Sequence, residues 1–266
     1  MRRILLLFVV ALTVNVVFAQ KPDTVINGIG FKKYGVEVSQ PGDIKSINIM
    51  LPVPNGNKAL RAICDFLVGP NYDYVHFQEQ LEATYLAINE ESATEEPETE
   101  PEVTNDTATD DSEFYDEFED FDYERIVLIN PIAVYDDFIM YMFYQSEYTG
   151  GIHPFWGTDH IVFDLHTGKE LKEEDIFDCT EANVAAITLE LRKKLTEYVG
   201  EDVEDYGYTT MLNGNFYFDK NGLTYTYVPY EVVWYAAGEP ELTLSKNFLK
   251  PYLKKDGPLY NFWFGK

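Results

Sequence analysis

The sequence feature that most constrains the fold is an acidic run of 35 residues, from Glu90 to Glu124. It contains seventeen Asp or Glu residues and no Lys or Arg, and its second half alternates acids with aromatic residues. A segment of this composition cannot bury enough apolar surface to offset the conformational entropy lost on ordering. We therefore predict a disordered acidic insert at residues 90–124, which joins two small subdomains at residues 20–89 and 125–266.

The N-terminus predicts export from the cytoplasm. Two arginines are followed by an apolar run of fifteen residues, Ile4 to Phe18, and then by the small residue Ala19. This order is typical of a cleaved signal peptide, and the run is shorter than the roughly 20 residues that span a bilayer. We predict a signal peptide at residues 1–19 with cleavage after Ala19, no transmembrane anchor after cleavage, and a periplasmic or secreted protein.

The charge of the chain excludes some classes of partner. The formal net charge is −26, and loss of the two leader arginines makes it more negative. Such a field repels nucleic acids and anionic membrane surfaces, and it attracts cationic proteins. We therefore expect no nucleic-acid partner.

Two cysteines, Cys64 and Cys179, leave two alternatives open. In an oxidising compartment an even pair can form a disulfide, which would close a loop of more than a hundred residues. The other alternative is two buried thiols, because a chain of this size can be stable without a bridge.

Hydrophobic periodicity predicts an α+β fold, with antiparallel β-sheets packed against helices. Before the insert, strand-like runs at 30–38 and 46–54 are followed by two amphipathic helices, which begin after Asn57 and near Tyr74. After the insert, the runs at 125–135 and 138–148 are apolar on both faces and predict central strands. Further along the chain, Thr180 and Gly200 predict the ends of a helix, and Asn221-Gly222 predicts a hairpin turn.

Three of the four histidines lie between residues 148 and 169, together with Gly150-Gly151. If residues 159–165 are extended, His160 and His166 stand roughly 20 Å apart, too far to share a zinc ion. We therefore predict no metal site. The glycine pair favours a sharp bend, and His153, held extended by Pro154, is expected to hydrogen-bond loop backbone.

Motifs of catalysis are absent from the sequence. It contains no Gly-x-Ser-x-Gly elbow, no His-Glu-x-x-His and no phosphate-binding glycine loop. We therefore predict a protein that is not an enzyme and has no cofactor. The alternative is a hydrolase of envelope polymers in which His153 acts with Glu231 or Asp159.

Four ordered motifs carry a family resemblance: YTGGIHP, FDLHTGKELKEEDIF, GLTYTYVPYEVVWYAAG and LKPYL. Residues 125–253, which contain them, resemble the bacterial extracytoplasmic domain of unknown function 3298, represented by the RsiV ectodomain of a lysozyme-binding anti-sigma factor. Residues 24–90 are similar to its usual N-terminal partner, the domain of unknown function 4163. The resemblance implies a compact α+β unit, although Ile152 stands where the family often has alanine. Signalling does not carry over, because we find no sigma-binding segment or membrane span.

The same motifs select the residues expected to shape the characteristic loops. These ligand-binding candidates are Tyr148, Gly150, Gly151, His153, Pro229, Tyr230, Glu231, Tyr235 and Gly238. The resulting hypothesis is a non-catalytic binding module of the bacterial cell envelope, whose ligand is a cationic lysozyme-like protein or a cell-wall glycan. A structural accessory domain is the further alternative.

Overall fold

The computed structural model describes residues 21–40, 43–73, 75–92, 123–200 and 211–265. The predicted leader and residues 93–122 of the predicted insert lie outside the described residues. Within the described part, no helix combines the length and apolar character needed to cross a bilayer.

Nine strands in the described residues form two sheets. The large sheet has six strands in sequence order: β1 (Thr24–Ile26), β2 (Ile29–Gln40), β3 (Asp43–Pro52), β4 (Tyr123–Val134), β5 (Phe138–Tyr148) and β6 (Phe155–Asp164). The small sheet has three: β7 (Phe216–Phe218), β8 (Gly222–Thr226) and β9 (Glu241–Ser245). The helices of the described part are α1 (Lys58–Val68), α2 (Phe77–Ser92), α3 (Glu173–Ile176), α4 (Glu181–Val199), α5 (Lys246–Leu249) and α6 (Pro258–Phe264).

The mixed α+β class predicted from the sequence is confirmed, but one strand pair was not anticipated. Neighbouring strands are antiparallel except β3 and β4, which run parallel from Asp43 opposite Tyr123 to Ile49 opposite Ile129. Parallel strands need a long crossover connection, which here contains α1, α2 and the acidic run. The segments on either side of that run therefore share one continuous sheet.

The boundaries of the predicted insert need correction. Helix α2 continues to Ser92, and β4 already begins at Tyr123, so both ends of the predicted range 90–124 belong to regular elements. Helix α2 also begins at Phe77 rather than near Tyr74. The Asp73 side chain accepts a hydrogen bond from the Val75 N–H and binds the His76 ring. These two contacts form a turn before the helix.

The first core lies between one face of the large sheet and helices α1 and α2. Its buried residues include Ile49, Leu51, Tyr141 and Phe163 from the strands, and Ile63 from α1. The side chain of Asn57 caps α1 by accepting hydrogen bonds from two backbone N–H groups of its first turn. The predicted amphipathic helix therefore covers the sheet as expected.

The second core lies between the other face of β5 and β6, the small sheet and α4. It contains Met140 and Val162 from the large sheet, Leu191 from α4, and Tyr225 and Leu244 from the small sheet. Strand β5 thus contributes to both cores, because Tyr141 and Met140 point to opposite faces. The run at 138–148 was predicted to form a central strand covered on both sides. This prediction is confirmed for its first four residues, which are buried.

Helix α4 begins and ends where the sequence predicts. The Thr180 side chain accepts a hydrogen bond from the Asn183 N–H at 3.3 Å, and Gly200 adopts a left-handed φ of 78°. Left-handed backbone carries almost no penalty for glycine, so Gly200 closes the helix.

Cys64 and Cys179 are not joined by a disulfide. Cys64 lies on α1 in the first core, where its Sγ donates to Pro52 O at 3.3 Å. Cys179 is exposed just before α4. The large sheet, whose strands the two cores cover from opposite sides, separates these positions. The proposed bridge is therefore wrong, and so is the expectation that both thiols are buried.

Candidate functional site

Two connections between strands form the candidate site. We call residues 149–154, between β5 and β6, the Gly-Gly loop, and residues 227–240, between β8 and β9, the Tyr loop. Eight of the nine candidate residues predicted from the sequence lie on these two loops, and Tyr148 ends β5. The structure brings the loops together through His153, whose ring contacts Tyr230 and Tyr235.

His153 is exposed yet held on several sides. Its ring stacks on Tyr235 with a centroid separation of 3.6 Å and an interplanar angle of 14°. Its Nε2 lies 3.2 Å from the Tyr230 hydroxyl, and its Nδ1 lies 3.3 Å from the carbonyl oxygen of Pro154. The expected contact with loop backbone is thus present, and the two tyrosines add cross-loop contacts that the sequence did not indicate.

Tyr235 fixes the position of this stack. Its hydroxyl donates to Pro154 O at 2.8 Å and accepts from Trp156 Nε1 at 3.1 Å. Pro154 ends the Gly-Gly loop and Trp156 lies on β6, so one hydrogen bond joins the Tyr loop to the Gly-Gly loop and the other joins it to the strand that follows. The relative placement of the loops therefore rests on two hydrogen bonds and one ring stack as well as on the His153 contact with Tyr230.

Backbone geometry explains the glycine pair. Gly150 and Gly151 have φ values of 87° and 114°, a region that side chains with a Cβ rarely adopt. The Tyr148 hydroxyl donates to Gly151 O at 3.0 Å and closes the bend on β5. The prediction of a sharp bend at this position is confirmed.

The Tyr loop contains a strained residue and the carboxylate that supports it. Tyr230 has a φ of 69°, although it is not glycine. For residues with a Cβ, left-handed backbone costs roughly 1–2 kcal/mol. The Glu231 carboxylate accepts from Val228 N at 3.0 Å and from Asn213 Nδ2 at 2.9 Å, so it supports this backbone.

The hydrolase alternative considered from the sequence paired His153 with Glu231 or Asp159, and the structure does not pair His153 with Glu231. The oxygens of Glu231 bind Asn213 and Val228, while the ring nitrogens of His153 contact Tyr230 and Pro154. The other proposed carboxylate, Asp159, is exposed on β6 opposite Phe143 of β5.

Side chains from the Tyr loop and from the segment before β7 cover the outer edge of β6. The Thr158 N–H donates to Glu239 Oε1 at 2.6 Å, and the His160 N–H donates to Asn215 Oδ1 at 2.8 Å. Asn215 Nδ2 also donates to Thr158 O at 2.7 Å. An edge strand must have its polar backbone groups covered or hydrated, and these side chains cover them here. Burial raises the pKa of the Glu239 carboxyl, and the Thr158 hydrogen bonds partly oppose this.

Large apolar side chains project into solvent from the two loops and the start of β6. We call Ile152, Phe155, Tyr230 and Trp234 the apolar patch, and their exposed fractions are 99%, 55%, 61% and 37%. Single exposed apolar residues are ordinary, but several on adjoining loops are typical of an interaction surface. Of these four residues only Tyr230 was a sequence candidate, although Ile152, Phe155 and Trp234 lie within or next to the quoted family motifs.

Acidic residues border the Gly-Gly loop. Glu124 pairs with Tyr148 across β4 and β5, and the Glu147 carboxylate accepts from the Tyr123 hydroxyl at 2.9 Å. Burial, followed by the hydrogen bond to Glu147, raises the pKa of Tyr123. Two basic residues lie among these positions: Arg125 is opposite Glu147, and the Lys45 ammonium on β3 lies 5.0 Å from the centroid of the Tyr123 ring. The acidic run of the sequence ends here, at the start of β4.

The remaining histidines have separate structural roles. His160 is buried, its ring lies 4.6 Å from that of Tyr217, and burial lowers its pKa. His166 binds Asp137 at 2.8 Å, and this hydrogen bond raises its pKa. No group of three or more His, Cys, Asp or Glu side chains in the described residues could hold a metal ion.

Comparisons with known proteins relate the chain to one domain family. The family model described as "Protein of unknown function (DUF3298)" matches residues 174–247, a shorter range than the predicted 125–253. That range contains the Tyr loop but not the Gly-Gly loop. No curated protein matches the chain.

Two crystal structures of DUF3298 family proteins share the fold. One, from Bacteroides fragilis, has a TM-score of 0.67 at 20% identity and covers 90% of this chain and 98% of its own. The other, from Pseudomonas aeruginosa, has a TM-score of 0.56 at 16% identity, with 85% and 94% covered. The chain therefore carries a DUF3298 domain, of unknown function, at residues 174–247, within a fold that both proteins share over most of its length.

Proposed function

We propose that this protein is a secreted or periplasmic, non-catalytic binding module of the bacterial cell envelope. In this proposal the two loops bind a cationic, lysozyme-like protein, in the manner suggested by the resemblance to RsiV. The observation that carries it is the apolar patch, whose side chains project from the start of β6 and from two loops that are fixed to one another. The predicted leader sequence supports the compartment.

The rigidity of the loops favours recognition by the apolar patch. Binding usually loses affinity through the ordering of interface side chains and loops, and prior order reduces that penalty. Here the Tyr235 hydrogen bonds and the His153 stack already hold the loops together. Aromatic residues also dominate the energetics of protein interfaces, and the patch contains three of them.

Tyr230 supports the same conclusion through its strain. Glycine would adopt a φ of 69° without the roughly 1–2 kcal/mol penalty that a residue with a Cβ carries. Tyr230 is 61% exposed, and its side chain contacts the ring of exposed His153, by a hydrogen bond and ring to ring, and the ring of Tyr235. Strained residues with exposed side chains cluster at binding sites, where the side chain contacts the ligand rather than stabilising the fold.

Charge favours a basic partner. The formal net charge is −26, and Glu124 and Glu147 lie beside the Gly-Gly loop. Complementary charge speeds association and makes it sensitive to salt, whereas the apolar contacts persist at higher salt.

The test is calorimetric titration of the protein with lysozyme at low and moderate salt. We expect binding heat in both conditions, with weaker affinity at moderate salt. Tyr230→Gly relieves the strain and removes the ring, so we expect stability to be retained and affinity to fall about tenfold. Leu189→Ser is the matched control, because Leu189 is an equally exposed apolar residue on α4, away from both loops.

Absence of heat in both salt conditions would exclude the lysozyme-like partner. Exposed tyrosine and tryptophan rings can also stack on sugars, so a cell-wall glycan is the second candidate ligand. A glycan array separates the two, since binding of wall fragments that is lost in Tyr230→Gly would reassign the ligand class.

A further inference from the structure

A cavity of about 460 Å³ lies at the end of the large sheet opposite the Gly-Gly loop. It is lined by Asn27 of the β1–β2 turn, by Val134, Tyr135, Asp136 and Asp137 at the β4–β5 turn, and by Phe262 of α6. It is a cleft open to solvent, and its volume falls within the range of small-molecule sites in proteins. Because the β5–β6 and β4–β5 connections lie at opposite ends of β5, this cavity is separate from the two loops.

One side of the cavity is aromatic and backed by the second core. The rings of Tyr135 and Phe262 meet edge to face, with a centroid separation of 4.9 Å. Tyr135 also stacks on buried Phe218 at 6.5 Å, and Phe262 packs against that same ring at 5.3 Å. These contacts hold the two rings in place and provide an apolar wall.

The rim of the cavity carries carboxylates with remaining acceptor capacity. Asp136 Oδ1 accepts from Asn27 Nδ2 at 3.3 Å, and Asp137 Oδ1 lies 2.8 Å from His166 Nε2. These hydrogen bonds use only Oδ1 of each carboxylate among the described residues. Burial raises the pKa of Tyr135, and the charge of Asp219 adds to this, although Asp219 lies outside the lining and both of its carboxylate oxygens accept hydrogen bonds from Asn221 or Gly222.

The charges around the cavity are predominantly negative. Two carboxylates, Asp136 and Asp137, line the cavity, and the titratable His166 binds Asp137. Beyond the lining, the charge of Asp219 acts on Tyr135, and Lys220 neighbours Asp219. An anionic ligand would be repelled, and an uncharged apolar ligand would remove water from carboxylates without replacing their hydrogen bonds.

We infer that this cavity binds a primary ammonium group carried on an aliphatic stem. The ammonium pairs with the free lone pairs of the two rim carboxylates, and the methylene stem packs on the rings of Tyr135 and Phe262. Two sources supply this chemistry: a lysine side chain of a peptide, or a free diamine. The site goes beyond the proposed binding of a protein by the loops and does not depend on it.

Titration of the ¹⁵N-labelled protein, followed by NMR, tests the inference. The probe is Nα-acetyl-lysine methylamide, and the matched probe is Nα-acetyl-norleucine methylamide, which has the same stem length without the charge. We expect saturable shifts of the Asn27 and Tyr135 amides with the lysine probe and none with norleucine. Cadaverine distinguishes the sources, because equal affinity for it indicates a free diamine and weaker affinity indicates a lysine side chain.

Variants connect the shifts to the carboxylates. Asp136→Asn removes the charge of an exposed side chain and keeps its shape. It should weaken binding of the lysine probe about fivefold, which is near the upper end of the free energies measured for partly exposed ion pairs. Glu197→Gln removes an exposed charge from α4 and should leave affinity unchanged. Equal shifts with norleucine, no shifts at the cavity, or full affinity in an Asp136→Asn, Asp137→Asn double variant would overturn the inference.

Discussion

Gly157 on β6 provides the sharpest test of how the Tyr loop is held. It is buried, and a Cβ added at this position would lie 2.6 Å from Val228 Cγ1 and 3.2 Å from Val228 Cβ. Its φ lies outside the left-handed region, so alanine can adopt the backbone without strain. Any destabilisation by Gly157→Ala must therefore come from the contact with Val228.

The magnitude follows from that overlap. Carbon atoms in ordinary contact are about 3.5–4.0 Å apart, so Val228 has to move by about 1 Å or the Tyr loop has to lift. Overpacking of this kind destabilises by about 1–3 kcal/mol, whereas loss of glycine flexibility in the unfolded chain returns about 0.4–1 kcal/mol. We expect a net loss of about 1–2 kcal/mol in the free energy of unfolding.

A double-mutant cycle measured by urea denaturation isolates the contact. Val228→Ala alone should lower stability by about 1 kcal/mol, since it removes half-buried methyl groups. The double variant with Gly157→Ala should be no less stable than Val228→Ala, which gives a favourable coupling of about 1–2 kcal/mol. Combining Gly157→Ala with Leu189→Ala, on exposed α4 surface, should be additive. An additive cycle with Val228, or a Gly157→Ala variant more stable than the parent, would refute the reasoning.

Two further predictions concern the helix cap and a buried histidine. Thr180→Ala should lower the free energy of unfolding by about 1 kcal/mol in urea titration, because the Asn183 N–H loses its acceptor. Thr180→Ser keeps a hydroxyl acceptor and should retain most of this stability. Equal losses in the two variants would contradict the capping role. Burial lowers the pKa of His160 in the folded state. The stability due to its neutral form is therefore fully present above the ordinary histidine pKa, and it is lost as the pH falls through the pKa of the folded state. His160→Gln should therefore lose less stability than the parent between pH 7.5 and 5, and parallel losses would show that His160 is not responsible.

Elements specified by neighbouring residues were predictable. The Asn57 and Thr180 caps, the Gly200 terminus and the Gly-Gly bend all depend on backbone geometry within a few residues. At the hairpin, Asp219 accepts from the Asn221 and Gly222 N–H groups, which is again a local contact. Runs rich in apolar residues also identified strands β2 to β5, because such a run is itself a local feature of the sequence.

Contacts between distant segments were not predictable in the same way. The parallel pairing of β3 with β4 connects residues separated by about 80 positions, and both strands would satisfy the same apolar pattern beside other neighbours. The His153 contact with Tyr230 spans 77 positions, and the family motifs selected both residues without indicating that they touch. Glu231 was a candidate catalytic partner, and its support of the Val228 backbone depends on Asn213, which no motif contains.

By itself, the sequence determined most of the secondary-structure elements and the acidic character of the chain, because propensity, capping and charge are properties of neighbouring residues. The residues of the two loops came from the resemblance of their motifs to a known family. Only the tertiary structure decided that one sheet joins both sides of the acidic run, that the loops meet at His153, and that Asp136 and Asp137 border an aromatic cavity. These features depend on which apolar faces are buried against each other, and many pairings of the same elements would satisfy the local pattern equally well.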